Sequence, residues 1–551
     1  MDKKYTIGID FGSLSARALL VRVSDGEIIA EASSNYRHAV MDSVLASSGE
    51  ILPPDFALQD PRDYLEALDE TLPVIVKQSG VDPESILGIC VDFTCCTMIP
   101  TLADRTPICF LDEYKNNPHA YVKLWKHHAA QPYADKITAT AEERGETWLA
   151  DYGGKISSEW MFPKIWEVLD NAPDIYELAD CFCEAGDWIT RILTGKRVKG
   201  YVYSASKAIY DYDRGYPSKE FFAALDPRLE NVVEEKLNAP MVFNGQPAGN
   251  VCPEASKKYC LPTSVVVAAP MSDAHITTVA LGMKEAGDLS AILGTSACYM
   301  LLGDKYAPIK GICGIHKDSL TPGFYGYEAG LCCFGDHFAW AAENLATEEY
   351  INEASTLGTS VLSLLMKKAS EKKPGETGLI ALDWWNGNRS VLVDAALSGM
   401  ILGMDLRTKP EDIMRAILEA NAFGTRVIIE TYENGGMPVR RIVAGGGIPK
   451  KNPFMMQLLA DVLKKEIRIA GTTQLPALSG AIYAASAAGI PLEVAMENMS
   501  NISDTVYRPN PDAAAVYDKL FCEYKKLYDY FGRGENNVMK ELRSIRAQSA
   551  N

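Results

Sequence analysis

No apolar run in this 551-residue chain reaches the roughly 18 residues that a membrane helix needs. The opening Met1-Asp2-Lys3-Lys4 is not followed by a signal peptide's apolar stretch and cleavage site, so a cytoplasmic location is the expectation. The 13 cysteines include no C-x-x-C, and the seven histidines show no zinc spacing, so reduced thiols are expected and a structural zinc site is not. Positive charge is scarce: 54 Lys and Arg against 72 Asp and Glu leave a net charge of −18. That surplus repels phosphate backbones and anionic lipid, which argues against nucleic-acid or membrane partners. No G-x-x-x-x-G-K-[ST] occurs, so the chain is not a P-loop NTPase. Low-complexity linkers are also missing. An apolar fraction of 47% with 23% charged residues is ordinary globular composition and excludes disorder, collagen and coiled coil.

What is present is organised in two similar halves. Tyr5–Asp10, Ala16–Val23 and Glu27–Ala32 read as three antiparallel strands joined by the turns Gly12-Ser13 and Ser24-Asp25-Gly26. The 61–79 stretch has helical periodicity with Pro61 at its start, and 86–93 is a buried-type strand carrying Asp92. The 112–192 region reads as mainly helical. A second unit starts near Ser264, with strands at Ser264–Ala269, Leu289–Leu293 and Cys298–Leu302. Ile7-Gly8-Ile9-Asp10-Phe11-Gly12-Ser13 and Ala291-Ile292-Leu293-Gly294-Thr295-Ser296 share a pattern of strand, glycine turn, hydroxyl and strand, one hairpin per half. A third glycine cluster, Gly445-Gly446-Gly447, follows the strand Arg441–Val443 and precedes a helical pattern at 454–464. The polar tail after Ser544 should fray.

A glycine turn lets backbone N–H groups approach phosphate oxygens with no Cβ in the way. One such turn is an ordinary hairpin; two in matched positions, with a third opening a helix, favour a nucleotide site. Asp10 at the first turn can hold Mg²⁺ directly or through water, or can simply cap the turn. Asp273 follows a buried strand, where an apolar flank raises its pKa and suits it to take a proton from a hydroxyl; a helix N-cap is the plainer role. Local pattern assigns no role to Lys207 or Glu328. The dense segment Asp383-Trp384-Trp385-Asn386-Gly387-Asn388-Arg389 offers the flat faces and amides of a sugar site, or a buried Trp beside a turn. The 123–128 segment reads as a helix.

Gly399-x-Ile401-x-Gly403-Met404, seven residues, then Asp412-Ile413-x-x-Ala416-Ile417-Leu418-Glu419 resembles the C-terminal signature of the FGGY carbohydrate kinases at each constrained position. Gly8-Ile9-Asp10-Phe11-Gly12-Ser13-x-Ser15-x-Arg17 is similar to that family's first phosphate motif. Asp92-Phe93-Thr94-Cys95-Cys96-Thr97-Met98, the Lys123–Gln131 stretch and Trp384–Arg389 resemble the branch that phosphorylates ribulose. Ser13 keeps the hydroxyl of the usual threonine, whereas Leu14 and Leu331 stand where polar residues are common.

The resemblance implies an α/β fold of two actin-like (ribonuclease H-like) domains flanking an ATP/sugar cleft. The domains would be 1–262 on the sugar-binding side and 263–551 on the ATP-binding side. It implies ATP-dependent phosphorylation of ribulose, of the L and also the D configuration, at the 5-hydroxyl, in L-arabinose catabolism. Asp273 would be the base, with Cys96, Lys207, Asp273 and Glu328 lining the ribulose pocket. Gly12, Ser13, Gly294 and Thr295 would line the phosphates, Gly446, Gly447 and Asn452 would face the adenosine, and Asp10 and Asp273 would lie by Mg²⁺. The partners are then small molecules, a ketopentose and ATP, with a homodimer left open. A sister kinase for xylulose or another polyol, and a non-catalytic actin-like ATP switch, are the alternatives.

Overall fold

The structure, a computed structural model, describes residues 3–549 and is built on two seven-stranded sheets. In the first, the strands lie in the order Pro247–Asn250, Val266–Ala268, Ile86–Phe93, Tyr5–Phe11, Ser15–Arg22 and Ile28–Asn35, and Met271–Ser272 also pairs with Ile86–Phe93. In the second, the order is Ile502–Tyr507, Ile467–Ala470, Arg441–Gly445, Asp288–Leu293, Ala297–Gly303, Tyr325–Leu331 and Gly314–Lys317. Followed from these starting edges, both sheets run antiparallel, parallel, parallel, antiparallel, antiparallel. The repeated hairpin is thus the visible part of a whole repeated sheet, as two actin-like α/β domains require. The strand Ile86–Phe93 is paired on both sides and covered on both faces, which explains its nearly unbroken apolar run. Because Val266–Ala268 and Met271–Ser272 join the first sheet, that sheet extends past the expected boundary at 262/263.

The helix Pro61–Ser79 lies on the first sheet with Tyr64, Leu68, Leu72 and Ile75 buried. Asp60 caps its start by accepting from the Arg62 N–H, and Gly80, at φ +64°, ends it. The opposite face is covered from the far half of the chain, by the helix Leu475–Ala487. Small residues permit this approach: a Cβ on Gly8 would stand 1.7 Å from the Ala477 carbonyl oxygen. Thr6 Oγ1 donates to the Ala481 carbonyl at 2.8 Å. Leu19 and Val21 of the first sheet, Met300, Leu302 and Val443 of the second, and this helix form one apolar cluster that joins the domains at their base. A further lobe within the first half has an aromatic core that includes Trp148, Tyr152, Trp160, Phe162, Trp166, Phe221 and Phe222.

Four local expectations change. Residues 123–128 are not helical: Val122–Lys123 is a short strand followed by a turn. Lys123 is wholly buried and paired with Glu167 at 3.1 Å, and a buried cation goes where its partner is. The 112–192 region is helical only from Gln131, and the strand Cys181–Glu184 interrupts it. Trp384 is not a sugar platform: it is fully buried and packs edge-on against Tyr528 with ring centroids 5.1 Å apart. The tail continues as the helix Val538–Ser549 instead of fraying after Ser544.

Candidate active site

Asp10, Gly294 and Gly446 stand at or just past the carboxyl ends of the central parallel strands, where open α/β sheets bind ligands. Asp10 lies at the end of the strand Tyr5–Phe11, nearly buried, with Arg17 Nη1 3.7 Å away. Burial raises its pKa to about 6 against the pull of Arg17. The turn that follows is closed by a bond from the Gly12 N–H to the Ser15 carbonyl at 3.0 Å, and Ser13 Oγ accepts from Trp125 Nε1 at 3.1 Å. Asp273 opens the short helix Asp273–Ile276, half-buried, and its Oδ1 accepts from the Ala274 N–H at 2.7 Å. Burial, with the negative charge of Asp10 added, lifts its pKa to about 6.

The turns expected to take the nucleotide are held together by backbone. The Gly294 N–H bonds the Ser296 carbonyl at 2.9 Å, and the Gly294 carbonyl accepts from the Gly335 N–H at 3.0 Å. The Phe334 N–H bonds the Thr295 carbonyl at 2.9 Å, which seats the start of the helix Gly335–Asn344 on this turn. Gly446 has φ +98°, and a Cβ there would lie 2.5 Å from the Leu293 carbonyl oxygen, so only glycine brings the two turns together. Gly447, opening a short helix, faces free space. Asn452 caps the helix Pro453–Leu463 by accepting from the Met455 N–H at 3.0 Å.

Among the residues expected to take the sugar, Lys207 Nζ donates to both Glu328 carboxylate oxygens at 3.0 Å, linking the helix Tyr201–Lys207 to the strand Tyr325–Leu331 of the second sheet. Burial opposes both charges, but the pair overcomes it: Lys207 titrates above its ordinary value and Glu328 well below. Cys96 sits at φ +66° with its thiol near Lys207. Burial pushes the Cys298 thiol up to about 12, and the charges of Arg389, Glu328, Asp273 and Lys207 all act on it. Leu331 is buried opposite Ala297 and offers the cleft no polar group.

Several contributors were missed by sequence reasoning. Lys164 is fully buried, and its Nζ donates to the carbonyls of Cys96 at 2.6 Å, Leu124 at 2.9 Å and Lys123 at 3.3 Å. With Glu184 Oε2 accepting from the Thr97 N–H at 2.9 Å, it holds the loop that presents Cys96. His275 lies 3.3 Å from Glu328, with Ser206 Oγ 3.2 Å and Ser272 Oγ 3.1 Å from its ring nitrogens, joining the sugar pocket to the residue before Asp273. Asp92 was quoted within a motif but given no role. An acid inside the apolar run Ile86–Phe93 was the available signal; no local pattern marked Lys164 or His275.

The comparisons with known proteins agree with this geometry. The model of the N-terminal domain of the FGGY carbohydrate kinases matches residues 5–280, and that of the C-terminal domain matches residues 289–489. The chain belongs to the FGGY family of carbohydrate kinases. It is 47% identical to a protein of Halalkalibacterium halodurans named ribulokinase, over 99% of this chain and 98% of that one. It is 48% identical to a ribulokinase of Bacillus licheniformis, over 97% and 98%. The crystal structure of a gluconate kinase from Lactobacillus acidophilus superposes with a TM-score of 0.80 at 19% identity, covering 96% of this chain and 99% of that one, which speaks for the fold alone. As an FGGY kinase, the chain takes ATP as phosphoryl donor and a carbohydrate as acceptor. No helix among the described residues is long and apolar enough to cross a membrane.

Proposed function

We propose that the chain transfers the γ-phosphoryl group of ATP to the 5-hydroxyl of ribulose, as a step in L-arabinose catabolism in the cytoplasm. The observation that carries this reading is the half-buried carboxylate of Asp273. It is oriented by the Ala274 N–H, and Asp10 and His275 are close enough to act on its charge. The full-length likeness to proteins named ribulokinase supports the choice of sugar.

Phosphoryl transfer passes through a loose transition state, so the protein mainly positions the reactants and stabilises charge. Lys207, Glu328 and Cys96 hold the sugar, and the Lys207–Glu328 pair exchanges part of its mutual contact for sugar oxygens. Asp273 takes the proton of the 5-hydroxyl as that oxygen bonds the γ-phosphorus and the bond to the departing ADP oxygen breaks. Gly12, Ser13, Gly294 and Thr295 line the phosphates, the two glycines by leaving space and Ser13 and Thr295 by their hydroxyl donors, since the Gly12 and Gly294 N–H groups close their own turns, and Gly446, Gly447 and Asn452 border the adenosine. Fit to Mg²⁺ rests on oxygen chemistry: Asp10 and Asp273 are hard ligands, and Asp92 between them has two buried oxygens without a partner. Among the described residues no three His, Cys, Asp or Glu side chains form a ready metal cage. Asp10 and Asp273 would hold the ion, which would supply positive charge to offset that of the phosphates.

A coupled ATP assay with L-ribulose, D-ribulose, D-xylulose and glycerol side by side tests the proposal. The expected outcome is the highest kcat/KM for a ribulose. A faster reaction with xylulose or glycerol overturns the substrate, and ADP release without any sugar phosphate overturns the kinase chemistry in favour of a nucleotide switch.

A further inference from the structure

One acid beside the catalytic centre is left without a task by this scheme. Asp92 is fully buried, no donor group meets either of its carboxylate oxygens, and the polar side chain beside it is the Asp10 carboxylate, itself an acid. It stands level with Asp10 on the adjacent parallel strand, and on its other side it pairs with Met271, two residues before Asp273. A buried carboxylate is costly unless it is paired or faces a cation. The charged groups around it do not supply one. Asp10 and Asp273 both act on it with negative charge, and the buried Cys90 thiol and Tyr36 hydroxyl feel it only as further repulsion. Arg17 is engaged with Asp10 and is nearly half exposed, and Lys207 is committed to Glu328.

We infer that Asp92 is a third carboxylate of the divalent-cation site, accepting hydrogen bonds from the ion's water shell between Asp10 and Asp273. The inference rests on the phosphoryl-transfer reading for the presence of the ion. A neutral Ser or Asn would fill this strand position without the cost of burying charge, so the negative charge itself is what the position supplies. The arrangement also makes the floor of the cleft electrostatically incomplete until a cation arrives.

Asp92→Asn is nearly isosteric and separates this from the competing arrangement, a protonated Asp92 that donates to Asp10. Mn²⁺ serves as the probe, titrated alone into the full-length protein with free Mn²⁺ counted by electron paramagnetic resonance. The expected result is Mn²⁺ binding at least tenfold weaker in D92N than in the unaltered protein, with a melting temperature in the metal-free state that is equal or higher. The protonated arrangement keeps a donor to Asp10 in D92N and leaves Mn²⁺ affinity unchanged. Affinities within twofold, or no Mn²⁺ bound by either protein, overturn the inference. Should D92N fail to fold, crystals of the unaltered protein soaked in Mn²⁺ decide: an anomalous peak about 4–5 Å from the Asp92 carboxylate, one water away, is expected, and a peak elsewhere or none overturns it. Neither measurement involves turnover, so a failure to phosphorylate ribulose leaves this result separately readable.

Discussion

Two residues before each hairpin's glycine, the two sheets differ in a way that divides their labour. In the first sheet Asp10 stands opposite Asp92; in the second, Ile292 stands opposite Gly445. The strands match in order and direction, so the backbone plan is the same. At one place the plan carries two acids; at the other it carries an apolar plug, since a Cβ on Gly445 would meet Leu475 at 2.3 Å and Ile292 at 3.2 Å. On the proposed reading, the first sheet holds charge near the reacting phosphate at this position, whereas the second carries no charge at the matching one, which leaves room for a nucleotide beside the glycine turns. A duplicated fold therefore does not imply duplicated chemistry, because side chains at equivalent positions decide it.

Breaking the acid side should have the largest effect. Asp273→Asn should keep ribulose binding, read by calorimetry, and lower kcat about 10²–10⁴-fold, the usual loss for a general base. An unchanged kcat in steady-state kinetics removes Asp273 from that role. On the glycine side, Gly446→Ala adds a Cβ at φ +98°, 2.5 Å from the Leu293 carbonyl oxygen. Strain of this kind is worth on the order of 1–3 kcal/mol, so KM for ATP should rise about tenfold or more while KM for ribulose stays near its original value. If both KM values rise together, the two sides are less separate than the comparison holds.

The smallest effect is a pH dependence of the ligand-free protein. Asp10 and Asp273 titrate near 6 in the folded state, above their ordinary value of 3.8, and Asp92 well above it, in each case first because of burial. A raised folded pKa means that the stability these groups contribute is present at low pH and is lost as pH rises through about 6. The metal-free protein should therefore melt higher at pH 5.5 than at 7.5, by on the order of 2 °C, and Asp10→Asn should shrink that difference. Calorimetric scans with no such shrinkage would mean that the acids are not the source.

Much of the plan was legible from local pattern. Alternation and glycine turns marked both hairpins, Pro61 and the apolar spacing marked the helix Pro61–Ser79, and the strand ends marked Asp10 and Asp273. The errors share a cause. The 123–128 segment reads as a helix because its residues favour one, but Lys123 follows its buried partner Glu167. The pattern around Trp384 left a sugar surface and a buried ring both open, and only the space beside Tyr528 decides for the ring.

Sequence alone determined which stretches become strands, where glycine allows the backbone to turn tightly, and which acids stand at strand ends, since these follow from the conformational limits of each residue and its neighbours. Only the tertiary structure decided that Lys207 meets Glu328, that Lys164 holds the Cys96 loop, that a helix beginning at Leu475 covers the sheet beginning at Tyr5, and that Asp92 lies without a partner between two other acids. Those outcomes depend on burial and on partners far away in the chain, and desolvation acts on a group only once the fold has closed around it.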